Sequence, residues 1–356
     1  MNAIQTYHTL LKKIEQTLSL NHVYRNINLA WVMTGILLSH SVHTSRIANK
    51  IPGAAKRVSR SRRISRFLKN RQLHPRKLYE PIACQLIQAA AAVGSIRLII
   101  DSTRITSSHQ LMMVALAYRK RALPIAWTWA RHPKGHSTAT KQIALLSYVK
   151  TLIPFGTSVF LSGDSEFAPL QSHLLEWKWS FALRQKGNRL VQKLGSNQWE
   201  KIDSFQVKKG QKLWLADILL TKKQKYKSNL LIYWHKGESD PWIIATNLPS
   251  ARETIKHYKI RMWIEEMFGD FKSNGADLEM SCLRHFQRLS RLTLAVALLY
   301  VWTVAFGSLI IKRGLRTLVD RADRRDLSIF RIGADTFERY MINGKSIKLP
   351  DLPYFN

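Results

Sequence analysis

Residues 292 to 311, LTLAVALLYVWTVAFGSLII, run for twenty positions without a charged side chain. No other feature restricts the fold as much. A helix of that length, apolar all round, either crosses a bilayer or fills the centre of a large core. Arg288 and Arg291 precede it and Lys312 and Arg313 follow it, so the flanking charge sets no orientation across a membrane. It is the one stretch of its kind, and the reading favours a buried core helix over an anchor. A chain of 356 residues, 46% hydrophobic, is long enough to build such a core. The first residues, MNAIQTYHTLLKKIEQTL, hold no apolar signal core.

The rest of the chain is strongly basic. Against 56 Lys and Arg stand 23 Asp and Glu, a formal net charge of +33. Self-repulsion of that size calls for a polyanionic partner, with nucleic acid first and an anionic membrane surface second. The excess is concentrated near the start. Between Gln16 and Tyr79 there is no acid, and residues 46 to 77 carry twelve Lys and Arg. There the sequence predicts a short helix opened by Thr44 or Ser45 and stopped near Pro52-Gly53. A second helix follows, with Ile64, Phe67 and Leu68 on its apolar side and Arg60, Arg63 and Lys69 available to phosphates. A solvated basic face is the plainer reading of the same pattern. The two cysteines, Cys84 and Cys282, form no zinc or disulfide pattern, which fits a reducing cytoplasm.

From residue 96 the character changes. IRLIID (96–101) is an apolar strand ending in Asp101, and MMVALAY and LPIAWTWA form a hairpin. A helix is expected over 138–152, and SVFLSGD (158–164) is a further strand ending in Asp164. Residues 184 to 240 are rich in turns and lysine and read as a β-rich insertion. WIIATNLP (242–249) is one more strand, and Ser250 with Glu253 makes a capping box that opens a helical region. His132 and His136 are separated by Pro133 and Gly135, so no helix presents them as a metal pair, and no phosphate loop for a nucleotide cofactor is present.

In YKIRMWIEEMFGDFK (258–272) two glutamates stand side by side. Helical spacing puts Tyr258, Glu265 and Lys272 on one stripe, with Arg261 one turn before Glu265. Glu266 points about 100° away. If the stripe faces the strand ends, Glu265 joins Asp101 and Asp164, and Glu266 is a bystander. Three close carboxylates need cations, and hard divalent ions take oxygen ligands. Each residue alone has a plain reading: a turn aspartate, or a glutamate paired along a surface helix.

The stretch has the form Y-x2-R-x3-E-x6-K, complete at Tyr258, Arg261, Glu265 and Lys272. It resembles the signature of bacterial insertion-sequence DDE transposases of the YREK group. LIIDSTRI and LSGDSEF resemble that family's two aspartate blocks, and IPGAAKRVSRSRRISRFLKN its N-terminal DNA-binding region. The similarity extends from about residue 27 to about residue 310. It implies an α/β protein: an RNase H-like catalytic core with a β-strand insertion, preceded by an all-helical DNA-binding domain. The divisions expected are 1–90 for the helical domain, 91–183 and 242–318 for the core, 184–241 for the insertion and 319–356 for a tail that is a candidate dimerisation region.

The resemblance further implies that Asp101, Asp164 and Glu265 are catalytic and bind two Mg²⁺ ions, with Mn²⁺ as a substitute. Tyr258, Arg261, Lys272 and Arg184 would contact DNA. Trp234 and Trp242 are candidates to stack a flipped base, although most tryptophans in β modules are core. The function implied is cut-and-paste transposition: binding of terminal inverted repeats, Mg²⁺-dependent strand cleavage and strand transfer. The partners would be double-stranded DNA and a second copy of the chain, with no membrane, in a bacterial, nucleoid-associated cytoplasmic protein. The alternative is an inactive or domesticated derivative that binds DNA without cutting it.

Overall fold

The computed structural model describes residues 2–18, 22–106, 108–131, 137–273 and 275–355. His132 and His136 lie outside the described residues. Five helices come first: α1 (Ala3–Thr17), α2 (Val23–Ser39), α3 (Thr44–Lys50), α4 (Arg57–Lys69) and α5 (Pro75–Val93). Helix α4 buries Ile64, Phe67 and Leu68 and leaves Arg62, Arg66 and Lys69 exposed. These three cations follow at i, i+4 and i+7, so they share one outward face.

Then β1 (Ile96–Arg104), β2 (His109–Tyr118) and β3 (Arg121–Arg131) form an antiparallel meander. The β2–β3 hairpin turns at Arg119 and Lys120, both with positive φ (42° and 65°), as a tight turn between right-twisted strands requires. Helix α6 (Ala139–Leu152), capped by the Thr138 hydroxyl, crosses to β4 (Val159–Gly163), which lies parallel to β1. Helix α7 (Gln171–Glu176) leads to β5 (Ser180–Arg184), parallel to β4. The resulting order, β3-β2-β1-β4-β5, with the first three strands antiparallel and the last two added in parallel, is that of an RNase H-like core.

Next come β6 (Leu190–Gln192), β7 (Glu200–Lys201), β8 (Lys212–Leu220), β9 (Tyr226–Tyr233) and β10 (Trp242–Thr246). Strand β10 pairs with β5 on one side and β9 on the other, so the inserted strands prolong the same sheet to ten strands. Val191, Ile202, Ile218, Leu220, Leu230 and Ile232 give this extension an apolar cluster of its own.

Helix α8 (Ala251–Tyr258) opens on Ser250, whose hydroxyl accepts the Glu253 N–H at 3.2 Å. After one 3₁₀ turn, Lys259–Arg261, the chain resumes as α9 (Met262–Phe271). The chain closes with α10 (Phe286–Lys312) and α11 (Ile329–Ile342). Helix α10 contains the long apolar run. Its most apolar window is 89% buried within the protein, so the segment is a core helix. It touches α2, α4, α5, α11 and β3, and one apolar cluster accordingly runs from Leu10 to Leu349. Buried Arg291 on α10 donates to the Leu68 and Leu73 carbonyls, both at 3.0 Å, and so ties the α4–α5 connection to this helix.

Candidate active site

The aspartates meet because their strands are neighbours. Ile100 of β1 is level with Gly163 of β4, so Asp101 and Asp164 are the next residues along two adjacent parallel strands. Asp101 is buried (9% exposed), and its Oδ1 accepts the Ser102 N–H at 2.8 Å. Asp164 stands just past β4, at the start of a 3₁₀ turn over Ser165–Leu170. Its Oδ1 is buried and has no hydrogen-bond partner.

Glu265 reaches them through Arg261. The Arg261 Nη1 donates to Asp101 Oδ2 at 2.7 Å, and its Nη2 to Glu265 Oε1 at 2.6 Å. The planar guanidinium fork suits such a bridge. Burial opposes its charge, but Tyr258, Asp101, Glu265 and Asp164 together raise the Arg261 pKa. Burial pushes Asp101 up to about 7; Arg261 and the Ser102 N–H pull it down, and Asp164 and Glu265 push it up again. Glu265 itself is half exposed and opens the site to solvent.

The helix around the paired glutamates is not the one continuous α-helix that the helical spacing predicts. The 3₁₀ turn at Lys259–Arg261 separates Tyr258 from Glu265. Tyr258 still belongs to the site, buried with its hydroxyl unpaired. Burial raises it to about 12, against the pull of Arg261 and Arg184 and with the push of Asp164 and Asp101. Trp242 packs edge-on against its ring with centroids 5.2 Å apart. Arg184, at the end of β5, is level with Ile244 of β10 and contributes to this field.

Other expected residues have partners of their own. Lys272 caps the end of α9, where its Nζ pairs with Glu279 at 3.2 Å. Trp234 donates its indole N–H to the Glu238 carbonyl at 3.2 Å, within its own turn. Arg60 donates to the Ile51 carbonyl, while Arg63 donates to Asn28 at 2.6 Å and stacks 3.3 Å from the Trp31 ring centroid. Both are engaged with their own chain, unlike the outward face of Arg62, Arg66 and Lys69. Glu266 points to the hairpin, where Arg121 Nη1 donates to it at 3.0 Å.

Sequence reasoning passed over the support behind Asp164. Glu166 Oε1 accepts both the backbone N–H and the hydroxyl of Ser137, each at 2.5 Å, and Gln142 donates to the Glu166 carbonyl at 3.1 Å. The turn after Asp164 is thus fastened to the start of α6. Only the second acid in GDSE hinted at it, and no spacing rule reads that hint.

The three acids do not form a closed metal cage as they stand. Among the described residues no group of three His, Cys, Asp or Glu is gathered closely enough to hold an ion. Arg261 stands between Asp101 and Glu265, bonded to both. The donor set nonetheless fits hard divalent cations: all three acids offer oxygen, one buried oxygen of Asp164 is unpaired, and a single guanidinium is shared between Asp101 and Glu265.

A family model described as "Transposase DDE domain" matches residues 94–302. Among solved structures, the chain is similar to a piggyBac transposase in its synaptic complex with hairpin DNA, solved by cryo-EM. The two are 10% identical with a TM-score of 0.44, over 97% of this chain and 80% of that one. Among curated proteins none matches the chain.

Proposed function

The chain belongs to the transposase DDE domain family, and from that membership we propose that it cuts and joins DNA strands at the ends of an insertion sequence by a cut-and-paste route. The observation that carries this reading is the junction of three distant acids. Asp101 and Asp164 sit side by side just past the last paired residues of parallel β1 and β4, although β1 itself runs on to Arg104, and Arg261 links Asp101 to Glu265.

Divalent ions, Mg²⁺ first, would be held by Asp101, Asp164 and Glu265 and would supply an activated oxygen nucleophile and stabilisation of the leaving oxygen. The protein's own residues do the rest. The pairing of β1 with β4 fixes the two aspartates relative to each other before any substrate arrives. The half-exposed Glu265 approaches from α9, on the solvent side. Arg261 neutralises part of the acidic charge, and its fork can accept a phosphate in exchange for a carboxylate. Arg184 suits contact with the DNA beside the scissile phosphate, and buried Tyr258, packed against Trp242, lies behind it. Trp242 rather than Trp234 is then the candidate base platform, since it borders Tyr258.

Recognition of inverted repeats is assigned to the N-terminal helices, with Arg62, Arg66 and Lys69 as phosphate contacts in place of the engaged Arg60 and Arg63. Two copies of the chain would pair the two ends. The deciding experiment is a cleavage assay on duplexes carrying the element's own terminal repeats. Wild-type protein is expected to release a 3′-hydroxyl in Mg²⁺ and none in EDTA. Equal cleavage by Glu265→Gln would overturn the reading.

A further inference from the structure

Strand β3 is the edge of the sheet, and the space beside it has no part in the site above. Helices α5, α6 and the start of α10 rise around residues 125–129 and leave a groove of about 470 Å³. Cavities of ~300–1,000 Å³ hold ligands of drug or nucleotide size. Trp127, Tyr148 and Phe286 supply aromatic walls, Arg76 and Lys141 supply cations, and among the described residues no carboxylate lines the groove. The Arg76 guanidinium stands 4.4 Å from the Tyr148 ring centroid, and the Lys141 ammonium 6.0 Å from that of Phe286. Glu80 takes the Tyr148 hydroxyl at 3.0 Å, at the far end of the phenol. The Trp127 indole donates to Ser290 of α10 at 3.2 Å, which holds that ring in place.

The groove is close to the acids. Asp101 is level with Met113, and Met113 with Trp127, so its wall lies two strand spacings, about 10 Å, from the Asp101 backbone. At the same end of the sheet stand two exposed cations, Arg131 and Arg284. His109, level with Arg131, has its Nε2 3.1 Å from the Arg284 carbonyl.

Aromatic faces alternating with cations, without acids, bind single-stranded nucleic acid: bases stack while phosphates meet the charges. A duplex keeps its bases inside and offers such rings nothing. We propose that this groove holds an unpaired stretch of the DNA next to the phosphate being cut. Tyr148 and Phe286 stack its bases, and Arg76 and Lys141 meet its phosphates. This rests on the strand-cutting reading above.

The test is photocrosslinking of the full-length protein to a single-stranded oligonucleotide containing 5-iodouracil, followed by peptide mapping. Crosslinks at Tyr148 or Phe286 are expected; crosslinks confined to other segments overturn the proposal. The double variant Arg76→Gln, Lys141→Gln should also bind the same oligonucleotide with a salt dependence (log K against log salt) shallower by about 1.4. An unchanged slope counts against the groove. Glu265→Gln separates the two readings. If it still cleaves, the cutting mechanism fails whatever the crosslinks; if cleavage is lost but no crosslink reaches the groove, only the groove fails.

Discussion

At the scale of residues, the paired glutamates divide the labour. Glu265 faces Arg261 and the aspartates, and Glu266 faces Arg121 on the hairpin. Glu265→Gln is therefore expected to lower strand cleavage at least ~100-fold, since even an outer partner of a metal ligand can cost 10–100-fold. Filter binding should find end recognition nearly intact. Glu266→Ala removes an ion pair whose carboxylate is largely exposed and should cost about 1 kcal/mol in chemical denaturation, with cleavage kept. A second buried acid gives a pH signature. Burial raises Asp270 to about 7, against Arg121 beside it and with help from Glu266. Its folded-state value lies above the ordinary 3.8, so between about pH 4 and pH 7 the native chain holds a proton that the unfolded chain has lost. That contribution to stability falls as pH rises through this window. Asp270→Asn should flatten the decline, by on the order of a few kcal/mol at most, each pKa unit being about 1.4 kcal/mol. Melting temperatures at pH 5 and pH 8 decide it; an unaltered difference between them would count against a proton on Asp270.

At the scale of elements, two glycines set how α11 lies on α10. A Cβ on Gly307 would come within 2.0 Å of the Ile329 carbonyl oxygen, and one on Gly333 within 2.1 Å of the Thr303 carbonyl oxygen. The obstacle in each case is backbone of the facing helix, which cannot yield by a rotamer change. Gly333→Ala should therefore push the helices apart and destabilise by about 1–3 kcal/mol or more, read as a lower denaturation midpoint. The N-terminal helix α4 makes a prediction of a different kind. Its face of Arg62, Arg66 and Lys69 is exposed. Neutralising each one that meets a phosphate should reduce the salt dependence of duplex binding by about 0.9 in the log–log slope. The same change at Arg63 should instead weaken packing against Asn28 and Trp31.

At the scale of the whole molecule, the apolar run and the basic surface are two sides of one arrangement. The sheet and the N-terminal helices share α10 as their common core, which leaves the +33 charge to the outside. Much of this was legible in the chain. The serine cap at Ser250, the apolar strands leading to Asp101 and Asp164, the hairpin and the apolar side of α4 each rest on local rules that hold wherever the segment packs. So did the divergence of Glu265 from Glu266, because neighbouring residues on a helix differ by about 100° whatever surrounds them. The 3₁₀ turn before Arg261, the partners that engage Arg60 and Arg63, the fastening of Asp164 through Glu166 and the aromatic groove beside β3 were not legible. Each depends on a residue far along the chain, and periodicity carries no information about such a neighbour. The sequence by itself determined where most strands and helices lie, since spacing and residue type decide that. Only the tertiary structure decided that one arginine joins acids from separate elements and that the inserted strands prolong the central sheet. Those outcomes follow from which strands lie side by side, and long-range packing chooses that.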